Sequence, residues 1–331
     1  MASIINDLQH TDALPDKTES VSVVQTHISI VFVADDFVYK VKKPVNFGFL
    51  DFTTLEKREF YCHQEIKLNR RLSKDIYLEV LPVVVVSGRH IIGEASGEIV
   101  DYAVKMRRIP EDTLMKSLFG KGALTREHLS EVSRTLAKFH QDTVRNPEID
   151  RFGMPDQFRI NTDENFSQVE KYIGISIQVD EFNALKLWTD AFYKEQKDLF
   201  LSRLEAERIR DCHGDLHMEH ICFFEGVSMI DCIEFNDRFR YSDTVADIAF
   251  LLMDLEYHGG KDEAAVLWQF YKKFAGEKNV DSLLTFYKIY RAFVRGKVDS
   301  FQIDDINIGK DKKEQARQRA KRYFELACSY I

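Results

Sequence analysis

The pattern of hydrophobic and polar positions divides this chain into a strand-rich part and a helix-rich part. From about residue 20 to residue 108, β-branched and aromatic residues recur in short runs, which is typical of strands. A helix is predicted from the capping-box pattern Thr53-x-x-Glu56 to about Leu72. The predicted strands, of which the first two form a hairpin, are Val21–Val33, Phe37–Val41, Tyr77–Val86, His90–Ile92 and Asp101–Met106.

Beyond Pro110, which ends the run of strands, the spacing of apolar residues becomes that of amphipathic helices. Helices are predicted over residues 125–143, two or three within 163–208, and then 242–258, 261–275, 281–300 and 310–329, with short strands in 211–236. We therefore predict an α+β fold with two lobes. Residues 1–108 would form an N-terminal antiparallel sheet with one helix, and residues 109–331 a larger, mainly helical lobe.

Composition and charge narrow the classes of function. The chain has 331 residues, 44% of them apolar and 30% charged, which suits a folded protein with two lobes of unequal size. A net charge of −8 argues against sequence-independent binding to nucleic acid. The longest aliphatic run, around Val83–Val86, is too short to span a bilayer, and no secretory signal is visible. With five cysteines and no C-x-x-C pair, we expect reduced thiols in a cytoplasmic protein.

The segment from His213 to Asn236, HGDLHMEHICFFEGVSMIDCIEFN, carries the strongest chemical signal. A His-Gly-Asp turn can aim the Asp215 carboxylate at a substrate hydroxyl, and His213 would hold the loop by hydrogen bonding. His220 and Asp231 lie at the two ends of a short apolar hairpin, where a divalent cation could bind. A base followed by two metal ligands is the order that phosphoryl transfer requires.

A nucleotide site also needs a cation near the phosphates. Lys40 and Lys42 share one face of a predicted strand, because side chains alternate along it. The following helix carries Glu59 and Glu65, and a strand lysine paired with a helix glutamate is the protein-kinase arrangement. The chain has no G-x-x-x-x-G-K-[ST] motif, so a Walker A loop is excluded.

In these motifs the chain resembles the aminoglycoside phosphotransferase and choline kinase superfamily, which has a protein-kinase-like fold. More narrowly, it is similar to bacterial aminoglycoside phosphotransferase family enzymes, some of which are fused to a P-loop ATPase domain. The motifs cover about residues 20 to 258 and are VYKVKKPVNFGFLDF, EIKLNRRL, YAVKMRRIPE, LAKFH, HGDLHMEHICF, IDCIEFN and DIAFLLMDLE.

The resemblance implies a role for each matching residue. Asp215 would be the catalytic base, Asp231 the metal-binding acid, and Lys40 the phosphate-binding lysine with Glu65 as its partner. Asp247 resembles the buried helix aspartate that braces the catalytic loop. The hinge that meets the adenine would consist of Met106, Arg107, Arg108 and Ile109. The residues after Asp231, among them Glu234 and Arg238, would face the acceptor or form a salt-bridged surface loop.

Two departures from the family pattern bear on the metal and the phosphates. The family usually has Asn where this chain has His220, and imidazole is a poor ligand for Mg²⁺ but a good one for Mn²⁺ or Zn²⁺. Between the first strands, Gln25–Ser29 stands in place of a glycine-rich loop.

We therefore expect an ATP-dependent small-molecule kinase with an ATP site between the lobes and Mg²⁺, or Mn²⁺, as its metal. The acceptor would be a hydroxyl of a sugar, amino sugar, amino alcohol or similar compound. One alternative is a nucleotide-binding pseudokinase that acts as a regulatory or interaction module. A less favoured alternative is a metal-dependent hydrolase, because H-x-D-x-H is a ligand spacing that such enzymes use, with candidate ligands Cys212, His213, Asp215, His217 and His220.

Overall fold

The computed structural model describes residues 1–94, 96–305 and 308–331. Its strands are β1 (Ser22–Gln25), β2 (Ser29–Val33), β3 (Phe37–Lys42), β4 (Tyr77–Val86), β5 (Arg89–Ile92), β6 (Glu98–Arg107), β7 (Ile209–Asp211), β8 (Ile221–Cys222), β9 (Ser228–Met229) and β10 (Tyr241–Asp243). Its helices are α1 (Ala2–Leu8), α2 (Leu55–Asn69), α3 (Met115–Gly120), α4 (Arg126–Asp142), α5 (Pro147–Asp150), α6 (Pro155–Val169), α7 (Val179–Glu195), α8 (Lys197–Glu205), α9 (Asp237–Arg240), α10 (Thr244–Tyr257), α11 (Lys261–Ala275), α12 (Asp281–Asp304) and α13 (Lys310–Cys328).

The chain forms two compact units, and each combines two stretches of sequence. The first unit consists of Met1–Gly122 and Glu219–Asp237, and the second of Ala123–Met218 and Arg238–Ile331. The hairpin of β8 and β9 thus packs with the N-terminal sheet, although it follows the His-Gly-Asp turn in the sequence. The predicted fold class is confirmed, since the first unit is a curled antiparallel sheet and the second is mainly helical.

The six-stranded sheet of the first unit has the order β1-β2-β3-β6-β4-β5, with every neighbouring pair antiparallel. Alternation along β3 sends Tyr39 and Val41 to a core that also contains Leu8 of α1. The same alternation sends Val38 to the opposite core, which contains Cys62 and Ile66 of α2. Lys40 and Lys42 therefore lie on the α2 side of the sheet.

Two local predictions differ from the structure. The predicted strand Val21–Val33 is divided into β1 and β2, because the Thr26 hydroxyl accepts the backbone N–H of Ser29 at 3.0 Å and closes a turn. Helix α2 is capped by Thr54 rather than Thr53, since the Thr53 hydroxyl and N–H both donate to the Asp51 carboxylate. Each difference arises from a side chain that hydrogen-bonds the nearby backbone or a nearby carboxylate.

The second unit is built around α10, almost all of whose residues are buried. One core joins α6, α7, α10, α12 and α13 through aromatic and aliphatic side chains such as Phe166, Phe250 and Phe293. The short strands β7 and β10 pair antiparallel and flank the His-Gly-Asp turn. No helix in the described ranges is long and apolar enough to cross a membrane.

Candidate functional site

In the first unit, one buried glutamate binds two lysines. The Lys40 ammonium lies 2.8 Å from Glu65 Oε1, and the Lys42 ammonium lies 2.6 Å from Glu65 Oε2. Lys40 also binds Asp231 Oδ1 at 2.7 Å, and Lys42 binds Glu234. The charges therefore form a continuous network in the order Asp231, Lys40, Glu65, Lys42, Glu234.

Much of this network is buried, which strengthens the attraction between its charges. The side chains of Glu65 and Lys42 are fully buried, whereas 43% of the Asp231 side chain is exposed. Burial alone raises the pKa of Glu65, but Lys40 and Lys42 lower it more, so the pKa lies below its usual value and the carboxylate stays ionised. Burial is the main cause that raises the pKa of Glu234. The pair of Lys40 and Glu65 was predicted from the sequence, whereas the pair of Lys42 and Glu234 was not, because its one signal in the sequence is the two-residue spacing of the lysines.

Asp231 is held in position through its backbone. Its φ angle of 60° lies in the left-handed region, which Asp tolerates better than most residues do. Its N–H donates to the Tyr77 hydroxyl at 3.0 Å, and the next N–H, of Cys232, donates to Asn69 Oδ1 at 2.8 Å. Strand β4 and helix α2 thus fix the segment that carries the acid.

His220 lies beside the same carboxylate. Its Nε2 is 3.5 Å from Asp231 Oδ2, and its carbonyl accepts the N–H of Ile230 at 2.9 Å. The two oxygens of Asp231 therefore face different partners, Lys40 and His220. This places a carboxylate and an imidazole close enough to bind one metal ion together.

The four predicted hinge residues follow one another at the end of β6. Met106 is buried against α2, and Ile109 packs on the same core. Arg107 donates to Glu225 from both terminal nitrogens, at 2.8 and 3.1 Å, while Arg108 donates to the carbonyl of Ala34 at 3.1 Å. The arginine side chains thus brace the connection, and contact with adenine stays a prediction for this backbone.

The tip between β1 and β2 is braced from within, although it lacks glycine. The Lys43 ammonium donates to the Thr26 carbonyl at 2.6 Å, and the Thr26 hydroxyl accepts the N–H groups of Ile28 and Ser29. A hairpin tip held by these bonds is more rigid than a glycine-rich one.

In the second unit, Asp247 holds the His-Gly-Asp turn. Its carboxylate accepts the N–H of His213 at 3.0 Å and that of Gly214 at 2.8 Å. His140 Nε2 lies 3.1 Å from the same carboxylate, and His140 Nδ1 lies 2.7 Å from the Tyr271 hydroxyl. Burial raises the pKa of Asp247, but the bonds to His140 and His213 lower it well below its usual range.

The turn presents the Asp215 carboxylate on a fixed backbone. Gly214 has φ 88°, a conformation that residues with a Cβ rarely adopt. The N–H of Asp215 donates to His213 Nδ1 at 3.3 Å, and Arg291 of α12 donates to the Gly214 carbonyl at 2.9 Å. About a third of the Asp215 side chain is exposed (34%), so a substrate can reach it. His213 thus accepts a backbone N–H within the turn, and its role in catalysis stays a prediction.

The ligand set of a metal hydrolase is only partly brought together within this unit. His217 Nε2 lies 3.6 Å from Asp215 Oδ2, but His213 Nδ1 accepts a backbone N–H instead. The Cys212 thiol donates to the Ser242 carbonyl at 3.5 Å, and burial raises its pKa well above the usual value. A protonated thiol is a poor metal ligand.

Several solved kinase structures are similar to the chain in fold. A choline/ethanolamine kinase family protein from Mesorhizobium loti aligns with a TM-score of 0.53 and 15% identity, over 95% of this chain and 92% of that one. The Plasmodium vivax ethanolamine kinase aligns with a TM-score of 0.51 and 10% identity, over 92% and 81%. Amicoumacin kinase hAmiN, solved with AMP-PNP and Ca²⁺, aligns with a TM-score of 0.51 and 14% identity, over 92% and 88%. These likenesses support the kinase-like fold and nothing narrower.

Curated relatives of the chain are mycobacterial. The uncharacterized proteins Rv2004c of Mycobacterium tuberculosis and Mb2027c of Mycobacterium bovis are each 32% identical to it over 312 residues. These alignments cover 94% of this chain, which spans only 60% of the length of the relatives it matches.

The model of peptidase family M54 matches residues 51–226, a little over half of the chain, and on that measure the chain belongs to this sequence family. Zinc peptidases of the H-E-x-x-H type carry the motif on a helix, with Glu after the first His. Within the matched residues, the H-x-x-x-H spacing occurs at His213 and His217, where Gly214 replaces the Glu. This segment is a turn and not a helix. The match therefore describes sequence similarity without the catalytic motif of such a peptidase.

The network around Glu65 leads to a prediction about stability. Lys42→Met should lower the free energy of unfolding by about 3–5 kcal/mol, because it leaves Glu234 buried without its lysine. The double variant Lys42→Met/Glu234→Leu removes both charges and should regain most of that loss. Urea unfolding followed by circular dichroism measures both effects.

The control is Lys57→Met, which removes a lysine from the half-exposed pair with Asp51 and should change stability by no more than about 1 kcal/mol. If Lys42→Met proves as mild as this control, the buried network does not stabilise the unit.

Proposed function

We propose that this protein is an ATP-dependent phosphotransferase that moves the γ-phosphoryl group to a hydroxyl of a small molecule. The observation that carries the proposal is the bond of Lys40 to both Glu65 and Asp231. A strand lysine fixed by a helix glutamate beside a metal-binding acid is the phosphate-binding arrangement of kinases. The turn that Asp247 fixes in the second unit supplies the base, Asp215.

The donor set fits a nucleotide with its metal. Asp231 and His220 would hold the divalent ion, and Lys40 would bind phosphate oxygens while Glu65 keeps its ammonium in position. Bound there, the nucleotide and its ion supply the phosphoryl group and neutralise its charge. The complex of amicoumacin kinase with AMP-PNP and Ca²⁺ supports this combination of ligands.

The residues of the turn would move the proton. Asp215 Oδ would accept the proton of the acceptor hydroxyl as that oxygen attacks the γ-phosphorus and the γ-phosphorus bond to the departing ADP breaks, so the carboxylate must stay ionised and correctly aimed. His213, Asp247 and Arg291 aim it by binding the backbone of residues 213–215. Positioning is the main contribution that a kinase site makes.

Removing the base tests the proposal directly. Asp215→Ala should reduce the phosphoryl transfer rate by about 10²–10⁴-fold and leave nucleotide affinity nearly unchanged, because Asp215 contacts the acceptor and not the nucleotide. An ATP-consumption screen against hydroxyl-bearing metabolites measures the rate, and titration calorimetry with AMP-PNP measures the affinity.

The matched control is Asp142→Ala, which removes an exposed aspartate of α4 and should keep wild-type turnover. Full activity in Asp215→Ala would contradict the assigned base. A wild-type protein that binds nucleotide but phosphorylates no acceptor would favour the pseudokinase alternative.

His220 leads to a prediction about metal preference. Imidazole binds Mn²⁺ better than Mg²⁺, so the wild-type protein should have higher turnover with Mn²⁺. His220→Asn supplies a hard amide oxygen and should shift the preference toward Mg²⁺ by about tenfold in the ratio of kcat/KM values. Turnover measured across both ions tests this, and an unchanged ratio would mean that His220 does not bind the ion.

A zinc-dependent hydrolase is the second candidate, which the match to peptidase family M54 favours. Because His213 is bound to the backbone and the motif Glu is missing, we expect the purified protein to retain no stoichiometric zinc after dialysis. Inductively coupled plasma mass spectrometry measures the amount of zinc per chain. One tightly bound zinc per chain, lost in His217→Ala, would favour the hydrolase instead.

A further inference from the structure

Lys297 lies on α12 of the second unit, the helix whose Arg291 binds the Gly214 carbonyl, and it has no ion-pair partner among the described residues. The Lys297 ammonium donates to the neutral amide oxygen of Asn165, on α6, at 2.7 Å. Among the described residues, no carboxylate lies within ion-pair distance of this ammonium. Asn165 accepts one of the three N–H donors of the Lys297 ammonium.

The charges facing Lys297 do not compensate for its burial. Burial lowers the pKa of Lys297 to about 8, Glu164 of α6 opposes that fall, and Arg238 of α9 adds to it. Glu164 itself binds Arg238 at 2.6 Å. Glu164, the carboxylate that raises the pKa of Lys297, is thus already bound to another cation, and a desolvated ammonium in that position is stabilised by an added anion.

A second buried polar atom lies on the same helix. Asn161 is one turn before Asn165 on α6 and is 5% exposed, and its Oδ1 accepts no hydrogen bond from the residues that the structure describes. Phe158, on the same face, packs on Tyr290 of α12 with ring centroids 5.0 Å apart. Along the helix direction, Asn161 therefore lies between Tyr290 and Lys297. Its oxygen needs a hydrogen-bond donor such as a hydroxyl.

Helix α12 joins this group to the base. Arg291 donates to the Gly214 carbonyl, and Lys297 follows six residues later, about 9 Å along the helix axis and about 120° around it. Arg295, between them, interacts electrostatically with the Asp215 carboxylate.

We infer that Lys297, Asn165 and Arg238 form an anion-binding subsite, and that the acceptor is a hydroxylated anion with a carboxylate or phosphate group. The claim that this anion is the phosphoryl acceptor rests on the proposed phosphotransferase function. The claim that an anion binds here does not. A hydroxyl of this acceptor would approach Asp215. The sequence resembles the aminoglycoside phosphotransferase family, but a polycationic aminoglycoside is disfavoured as the acceptor because the ammonium of Lys297 repels it.

A matched set of probes tests the charge. Gluconate and glucose 6-phosphate carry the two anionic groups, glucose is neutral, and glucosamine is cationic. Calorimetric titration without nucleotide should detect binding of at least one anion, at least about tenfold tighter than glucose, and none of glucosamine. The two anions together distinguish a carboxylate from a phosphate preference.

Variants assign the binding to Lys297. Lys297→Met should weaken the affinity for the anion by about 10- to 100-fold. Lys297→Arg should weaken it much less, because Arg keeps the charge. The control is Arg159→Gln, which removes a cation of α6 that pairs with Asp163 and Asp190, and it should bind as the wild type does. Thermal unfolding verifies that each variant is folded.

The pH dependence gives an independent readout. The anion binds the protonated ammonium, whose pKa is about 8 in the free protein, so affinity should be full near pH 7 and fall as pH rises through 8 to 9. This fall should be absent in Lys297→Met and shifted to higher pH in Lys297→Arg.

The outcomes separate this inference from the proposed function. Anion binding that depends on Lys297, without ATP turnover, supports the subsite and contradicts the phosphotransferase. Turnover of glucose or glucosamine that is unaffected by Lys297→Met supports the phosphotransferase and overturns the subsite. Binding of neither anion overturns the subsite as well.

Discussion

The buried carboxylate of Glu65 is the interaction on which the first unit's arrangement depends. An isolated ion at its depth would cost several kcal/mol, so the surrounding charges must be placed to offset that cost. Lys40 and Lys42 do so from one face of β3, one on each carboxylate oxygen. Asp231 and Glu234 then bind these lysines from a segment remote in sequence, which attaches that segment to the sheet.

The second unit uses a buried acid for a different purpose. Asp247 binds two backbone N–H groups and His140, and so fixes a turn rather than a charged side chain. In both units the groups proposed to carry the chemistry, Lys40 and Asp215, keep some exposure, at 13% and 34% of their side chains. Glu65 and Asp247, which help to hold them, are buried. This division lets a substrate reach the reacting groups while packing restricts their motion.

Local patterns predicted much of this architecture correctly. The fold class followed from the change between strand and helix periodicity near Pro110, and the helix that carries Glu65 followed from the capping-box pattern at its start. The predicted start of that helix was one residue early, because Asp51 binds Thr53 and Thr54 became the cap. Predictions failed where a polar side chain had more than one nearby group to bind, since sequence spacing alone does not rank such bonds.

By itself, the sequence determined the secondary structure, the order of the charged groups and the kinds of chemistry that they could perform. These properties depend on neighbours along the chain, through side-chain periodicity and backbone conformation. Only the tertiary structure decided that Glu65 binds two lysines, that Glu234 completes the network, and that Lys297 donates to the amide oxygen of Asn165. Ion pairing and desolvation depend on distance and burial in space, and residues far apart in sequence leave no periodic signal of either.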